Sequence, residues 1–233
     1  MGVPRTIGLL GGMSWESSIE YERIINTEVR DRLGGTHSAD LLVRSYDFAQ
    51  IEALQERGDW EQAGALLAAD ARALQAAGAE LIVLCTNTMH QVADVIEAGL
   101  DISFLHLADT TAAAVTTAGL RSVALLGTRY TMEQSFYRRR LETHGLTVLV
   151  PEEPDRTVVH DVIYDELVRG EINSDSKARY LAIIERLLEA GAEGVIAGCT
   201  EIELLVGADD LDCSYFPTTR LHALAAVDWS LRE

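Results

Sequence analysis

Three cysteines in 233 residues, without short regular spacing, are too few for a disulfide framework and point to a reducing cytosol. No apolar run approaches the roughly 20 residues of a membrane span. Nor does a basic stretch followed by an apolar one mark a signal peptide. Met1-Gly2 with Thr6 formally fits an N-myristoylation pattern, but Thr6 already opens an apolar β-run, so the match is read as chance. Positive charge is also scarce: 19 Lys and Arg stand against 37 Asp and Glu, a net charge of −18. That balance argues against nucleic acid or an anionic membrane surface as a partner. It leaves a small anionic substrate open, because a pocket can be locally positive inside an acidic protein. The six histidines lack metal-ligand spacing, so no metal is expected. The glycines of GLLGGM form neither a GxGxxG nor a P-loop, which weakens a nucleotide-binding reading. What remains, 48% hydrophobic and 24% charged, is the composition of a globular enzyme of one large domain or two of about 110 residues.

Short β-rich apolar runs alternate with longer amphipathic stretches, the pattern of a parallel sheet covered by helices. TIGLLGG (Thr6 to Gly12) reads as a buried strand ending in a glycine turn. SWESSIEYERIINTEVRDRL follows as a helix with Ser14 as N-cap and Ile19, Ile24 and Ile25 on its inner face. DLLVRSYDF is a second strand, DWEQAGALLAADARALQAAGA a helix closed by Gly78, and ELIVLC a third strand. TTAAAVTTAGL is a helix leading into the strand SVALLG.

The pattern then starts again. TIGLLGGM from Thr6 resembles SVALLGTR from Ser122, and AGAELIVLCTNT from Ala77 resembles AGAEGVIAGCTE from Ala190, at offsets of 116 and 113 residues. Two matches in one order at nearly one offset, each on a strand–turn boundary, indicate an internal duplication. The expected fold is α/β, with two pseudo-symmetric Rossmann-like parallel-sheet domains and the active site in the cleft between them. The first spans residues 1–110 and the second 111–217, with a C-terminal helix at 218–233 packing back on the first. No Pro/Ser-rich linker separates them.

Aligning AGAE on AGAE pairs Cys85 with Gly198, Thr86 with Cys199, Asn87 with Thr200 and Thr88 with Glu201. Thr86, rather than the adjacent Cys85, is therefore the partner of Cys199. Ligands of open α/β sheets bind beyond the carboxyl ends of the strands, where both residues stand. Two opposed acid/base groups suit one class of reaction, removal of a proton from one face of a carbon and return of another to the opposite face. A thiol is well suited, since the thiolate is an accessible base. Backbone N–H groups at strand-to-helix turns such as Gly11 to Met13 and Thr86 to Thr88 can support the developing enolate without a metal.

GLLGGMSWESSIEYERIIN, CTNTMH and AGCTEIELL together resemble the aspartate/glutamate racemases, the cofactor-independent amino acid racemases, over nearly the whole chain. That family carries one catalytic cysteine in a Cys-Asn-Thr motif and one in Gly-Cys-Thr-Glu. The second motif is intact here at Cys199, Thr200 and Glu201; in the first, Asn87, Thr88 and His90 match while Thr86 holds the catalytic position. The resemblance implies racemisation of aspartate or glutamate without PLP or any other cofactor, in the cytoplasm, by a homodimer. Threonine is a far weaker acid and base than cysteine. The two faces of the substrate are therefore expected to be handled unequally, or the site needs only one thiol. The alternatives are a single-thiol decarboxylase or cis-trans isomerase of a small diacid, or a catalytically degenerate amino-acid-binding protein. A second departure is Pro217, which precedes Thr218 and Thr219 where the family commonly has an acidic residue.

The candidate catalytic residues are thus Cys199 and Thr86, with Gly12, Met13, Gln50, Asn87, Thr88, Thr200 and Glu201 as candidate substrate-binding residues. Gln50 is carried over from the family's side-chain recognition segment. Glu201 could tune the thiol, read the substrate's ammonium or serve as a helix-terminal carboxylate. Asn87, Thr88 and Thr200 could bind a carboxylate or cap a helix start. Arg44 and Arg169 are candidates for a distal carboxylate. Cys85 is read as a packed thiol on the other side of the strand, and Cys213 as structural.

Overall fold

Eight short apolar segments become strands: β1 (Ile7–Gly11), β2 (Leu41–Ser45), β3 (Leu81–Leu84), β4 (Ser103–Leu105), β5 (Ser122–Gly127), β6 (Thr147–Leu149), β7 (Gly194–Gly198) and β8 (Ser214–Pro217). The computed structural model describes residues 4–232; Met1 and Gly2 of the acylation pattern lie outside them. The strands form two four-stranded sheets, ordered β2-β1-β3-β4 and β6-β5-β7-β8, and every pairing is parallel. Parallel neighbours need crossover connections, and helices supply them and bury both sheet faces. The central strands β1, β3 and β7 are accordingly buried along their whole length.

The two sheets repeat each other at the level of single residues. Gly8, Leu9 and Leu10 lie opposite Ile82, Val83 and Leu84. Ala124, Leu125 and Leu126 lie opposite Val195, Ile196 and Ala197. These are the pairs obtained by shifting β1 by 116 residues and β3 by 113, so the strand registers reproduce the sequence repeat.

In the first unit the side chains divide by parity, as period-two strands require. Ile7, Leu9, Leu81, Val83 and Cys85 join one cluster with Tyr21, Ile24 and Ile25 of the helix Trp15–Leu33 and with Ala223, Ala226 and Val227 of the helix Thr218–Ser230. Leu10, Ile82 and Leu84 join another cluster with Ile51, Leu67 and Ala71. In the second unit Ala124, Leu126, Val195, Ala197 and Cys199 share a cluster with Tyr180, Ile183, Ile184 and Leu187 of the helix Ser174–Glu189. Full burial of each such Leu or Ile stabilises by about 1.5–3 kcal/mol.

Ser14 caps the helix Trp15–Leu33 as expected, its side chain accepting from the Ser17 N–H. Ile24 and Ile25 face inward, but Ile19 does not: it is 51% exposed. The buried stripe instead begins with Ser17 and Ser18 and continues through Tyr21, Ile24, Ile25 and Val29. The small serines let the helix start close to the turn after β1, where the Gly12 N–H donates to Ser18 Oγ at 2.6 Å. That contact sets the rotation of the helix and turns Ile19 outward.

The described residues up to Leu107, with those from His222 onward, form one compact unit, and Ala108–Leu221 form a second. Among the described residues no helix is long and apolar enough to cross a membrane.

Candidate active site

In the first unit, β1 and β3 are adjacent and end level with each other, the Cys85 N–H donating to the Leu10 carbonyl. Their following turns bring Gly12 and Met13 beside Thr86, Asn87 and Thr88, all five buried. Gly12 has φ +82°, and a Cβ there would sit 2.3 Å from Tyr46 N and 2.4 Å from Tyr46 O. Only glycine lets the chain pass so close to the β2 end. Thr86 is 8% exposed and, by the strand alternation, continues the row of Ile82 and Leu84. Cys85 continues the opposite row, wholly buried in the apolar cluster that contains Tyr21 and Ala223. Its thiol lies 3.8 Å from the Val83 carbonyl, and burial drives its pKa far up, with Glu22 adding to the effect. A thiol so desolvated stays protonated and inert.

In the second unit, β7 ends at Gly198, and Cys199, Thr200 and Glu201 follow, all buried. Cys199 is 7% exposed, and its Sγ donates to the Glu201 carboxylate at 2.8 Å. Burial pushes the thiol pKa well up, and the Glu201 charge and hydrogen bond push it further; backbone N–H groups of Glu201 and Ile202 oppose this. The resting site therefore holds a protonated thiol with its proton already directed at a carboxylate. At the position matching Cys85, Gly198 leaves no room for a side chain: a Cβ would meet Leu126 O and Leu125 Cδ1, each at 2.8 Å.

The end of β8 braces this strand. Pro217 lies opposite Ala197, the Thr218 hydroxyl donates to the Ala197 carbonyl at 2.7 Å, and the Thr219 N–H donates to Glu203 Oε1 at 2.9 Å. The segment that carries Pro217 thus anchors the strand two residues before Cys199.

The other candidates lie on neighbouring elements, Arg44 directly opposite Leu10 on β2. Gln50 is exposed on the helix Phe48–Glu56. Arg44 is engaged within β2's surroundings, its Nε 3.0 Å from Asp70 Oδ2 and its guanidinium 4.3 Å from the Tyr46 ring. Arg169 is exposed on a 3₁₀ turn, Leu167–Arg169. Cys213 is half-buried against the second unit's core. Among the described residues no three His, Cys, Asp or Glu side chains gather into a group that could hold a metal ion.

One feature of the first unit escaped sequence reasoning. His90, His106 and His222 are all buried and their rings meet, His90 being 4.7 Å from His106 and 5.9 Å from His222 between centroids. His222 Nε2 donates to the Leu105 carbonyl at 2.9 Å, so its Nδ1 accepts from the Tyr21 hydroxyl at 2.9 Å. Burial, then the nearby His90, pull the His222 pKa down to about 3, so the ring stays neutral. The three residues come from distant parts of the chain and follow no motif spacing; only His90 belongs to a quoted motif.

Comparison with known proteins agrees with this architecture. A family profile described as Asp/Glu/Hydantoin racemase matches residues 10–226. A crystal structure of a candidate Asp/Glu racemase from Yersinia pestis is 51% identical, with 98% of this chain and 100% of that chain covered and a TM-score of 0.92. An aspartate racemase homologue from Pyrococcus horikoshii OT3 is 31% identical over 98% of this chain and 100% of that chain, with a TM-score of 0.86. The aspartate racemase of Picrophilus torridus shares the fold at 18% identity, covering 97% of this chain and 94% of that chain, with a TM-score of 0.74. The chain belongs to the Asp/Glu/Hydantoin racemase family.

Proposed function

We propose that this protein racemises an acidic amino acid, aspartate or glutamate, with Cys199 and Thr86 acting on opposite faces of the α-carbon. The observation that carries the reading is the shared register of the two sheets. It makes Thr86 the counterpart of Cys199, each two residues beyond the matched strand positions Leu84 and Ala197. The names of the relatives from Yersinia pestis and Pyrococcus horikoshii support the substrate class.

The reaction starts when Cys199 gives its proton to Glu201, which already accepts the thiol hydrogen bond. The thiolate then takes the α-hydrogen from one face of the substrate. Backbone N–H groups of the turns after β1 and β3 stabilise the enolate. The Thr86 hydroxyl delivers a proton to the opposite face and regains one from solvent, and Glu201 releases its proton to solvent, restoring the resting state. Asn87, Thr88, Thr200, Gly12 and Met13 hold the substrate carboxylates, and Gln50 contributes to side-chain recognition. A hydroxyl is a poor base, so hydrogen exchange without inversion is expected mainly with the enantiomer that Cys199 deprotonates, whereas kcat/KM for inversion is equal in both directions because the two enantiomers are equal in energy. In this reading the protein uses no cofactor or metal, works in the cytosol and assembles as a homodimer, as the family likeness implies.

The test is α-proton exchange in deuterated water with L- and D-aspartate and L- and D-glutamate. Exchange with inversion is expected for one acidic amino acid, with exchange that retains configuration concentrated in one enantiomer. Exchange with none of the four overturns the substrate assignment. Carbon dioxide release from a malonate-type acid instead would make the site a single-thiol decarboxylase. Binding without exchange would make the protein an amino-acid-binding relative.

A further inference from the structure

We infer that His90 is a positioning residue for Thr86, fixing the turn after β3 by a hydrogen bond to the Thr86 carbonyl. The inference rests on the proposed role of Thr86. His90 Nδ1 lies 2.7 Å from the Thr86 carbonyl oxygen, which can only accept, so Nδ1 carries the proton. Its Nε2 lies 3.1 Å from the Leu107 backbone nitrogen, which can only donate, so Nε2 carries none. Both partners are backbone groups, and together they dictate one neutral tautomer. The ring spans two strand ends: Thr86 stands just after β3, and Leu107 opens the helix Leu107–Thr117 just after β4.

The ring itself has little freedom. His90 is buried, with His106, His222 and Phe104 around it at centroid distances of 4.7, 5.9 and 6.0 Å. His222 is in turn held at both ring nitrogens, by Tyr21 and by the Leu105 carbonyl. The Thr86 backbone is therefore pinned from the side through its own carbonyl, in addition to the Thr86 N–H bond to the Leu84 carbonyl at 2.9 Å. Such pinning matters more on this side than on the thiol side. A weak acid works only when its hydroxyl is held in line with the carbon it protonates, and a displacement of about 1 Å can cost about 100-fold in rate.

The experiment compares two events in deuterated water with the enantiomer that Cys199 deprotonates. Deuterium wash-in with retention reports Cys199 alone, whereas inversion also requires Thr86. His90→Phe keeps an aromatic ring and removes both hydrogen bonds; it is expected to lower the ratio of inversion to retained exchange by about tenfold to 100-fold. His90→Asn returns a donor near the Nδ1 position and is expected to recover most of that ratio. General damage to the fold would depress both events together and leave the ratio unmoved. A ratio at the wild-type value in His90→Phe overturns the inference, and so does an Asn variant as impaired as the Phe variant. Thr86→Ala is the control for the underlying reading. If it leaves the ratio unchanged, Thr86 is not the second acid and the proposed pair fails, independently of His90.

Discussion

The two units share strand order and residue register, yet their central strands end in different chemistry. Beyond β7 stands a thiol hydrogen-bonded to the Glu201 carboxylate. Beyond β3 stands a hydroxyl on a turn whose carbonyl accepts from an imidazole. The difference teaches where a duplicated fold is free to diverge. Inside the strands every side chain is constrained by parity and packing, so Leu84 and Ala197 occupy equivalent buried places. Two residues further on, at Thr86 and Cys199, the ladder has ended, and the side chain answers only to its local neighbours. The position before it shows the constraint at work. The first unit accommodates Cys85 in its apolar cluster, whereas the second has only Gly198 because a Cβ would strike the Leu126 carbonyl.

The sharpest way to break the comparison is to remove the thiol. Cys199→Ala is expected to lower kcat/KM for inversion by about 1,000-fold, within the range of a lost acid/base group, while Cys85→Ala stays within about threefold of wild type. Chiral chromatography of the products measures both. If Cys85→Ala were the inactive variant, the register relating the halves would be wrong. Next in size is Glu201→Gln, expected to lower turnover by about 10- to 100-fold because the thiol loses its proton acceptor. The Glu201 charge raises the Cys199 pKa, so the same variant should form thiolate at lower pH than wild type, read by ultraviolet absorbance. A titration that moves upward or stays put would remove Glu201 from the thiol's environment.

A stability measurement sharpens the contrast between Cys85 and Gly198. Gly198→Ala is expected to cost about 1–3 kcal/mol in urea denaturation, because the added methyl meets backbone that cannot rotate away. The last prediction concerns pH and leaves neutral conditions untouched. His222 has its pKa lowered from 6.5 to about 3. The unfolded chain therefore binds a proton at this residue before the folded one does. The stabilisation from the neutral ring is complete above pH 6.5 and is lost as pH falls toward 3, at up to about 1.4 kcal/mol per pH unit. In His222→Phe the acid side of the stability curve should be shallower over that window; an unchanged slope would show that another group causes the acid loss.

Much of the molecule could be read before folding was considered. The apolar runs, their glycine ends and the repeated AGAE marked the strands and their equivalence, because parallel strands buried on both faces must be continuously apolar and short. Ser14 was legible as a cap because a helix start needs a side-chain acceptor. Ile19 was misread because periodicity cannot distinguish two inward stripes that differ by one small-residue contact. Gln50, assigned from the family segment, lies exposed.

The sequence by itself determined the fold class, the duplication and the equivalence of Thr86 and Cys199 within the repeat, since these depend on local pattern and spacing along the chain. Only the tertiary structure decided which row of side chains Cys85 joins, that the Cys199 proton points at Glu201, and that His90 holds the Thr86 carbonyl amid His106 and His222. Those outcomes depend on residues brought together across up to 201 positions of chain, from Tyr21 to His222, and on the burial that sets their protonation. Neither distance nor desolvation is written in a local pattern.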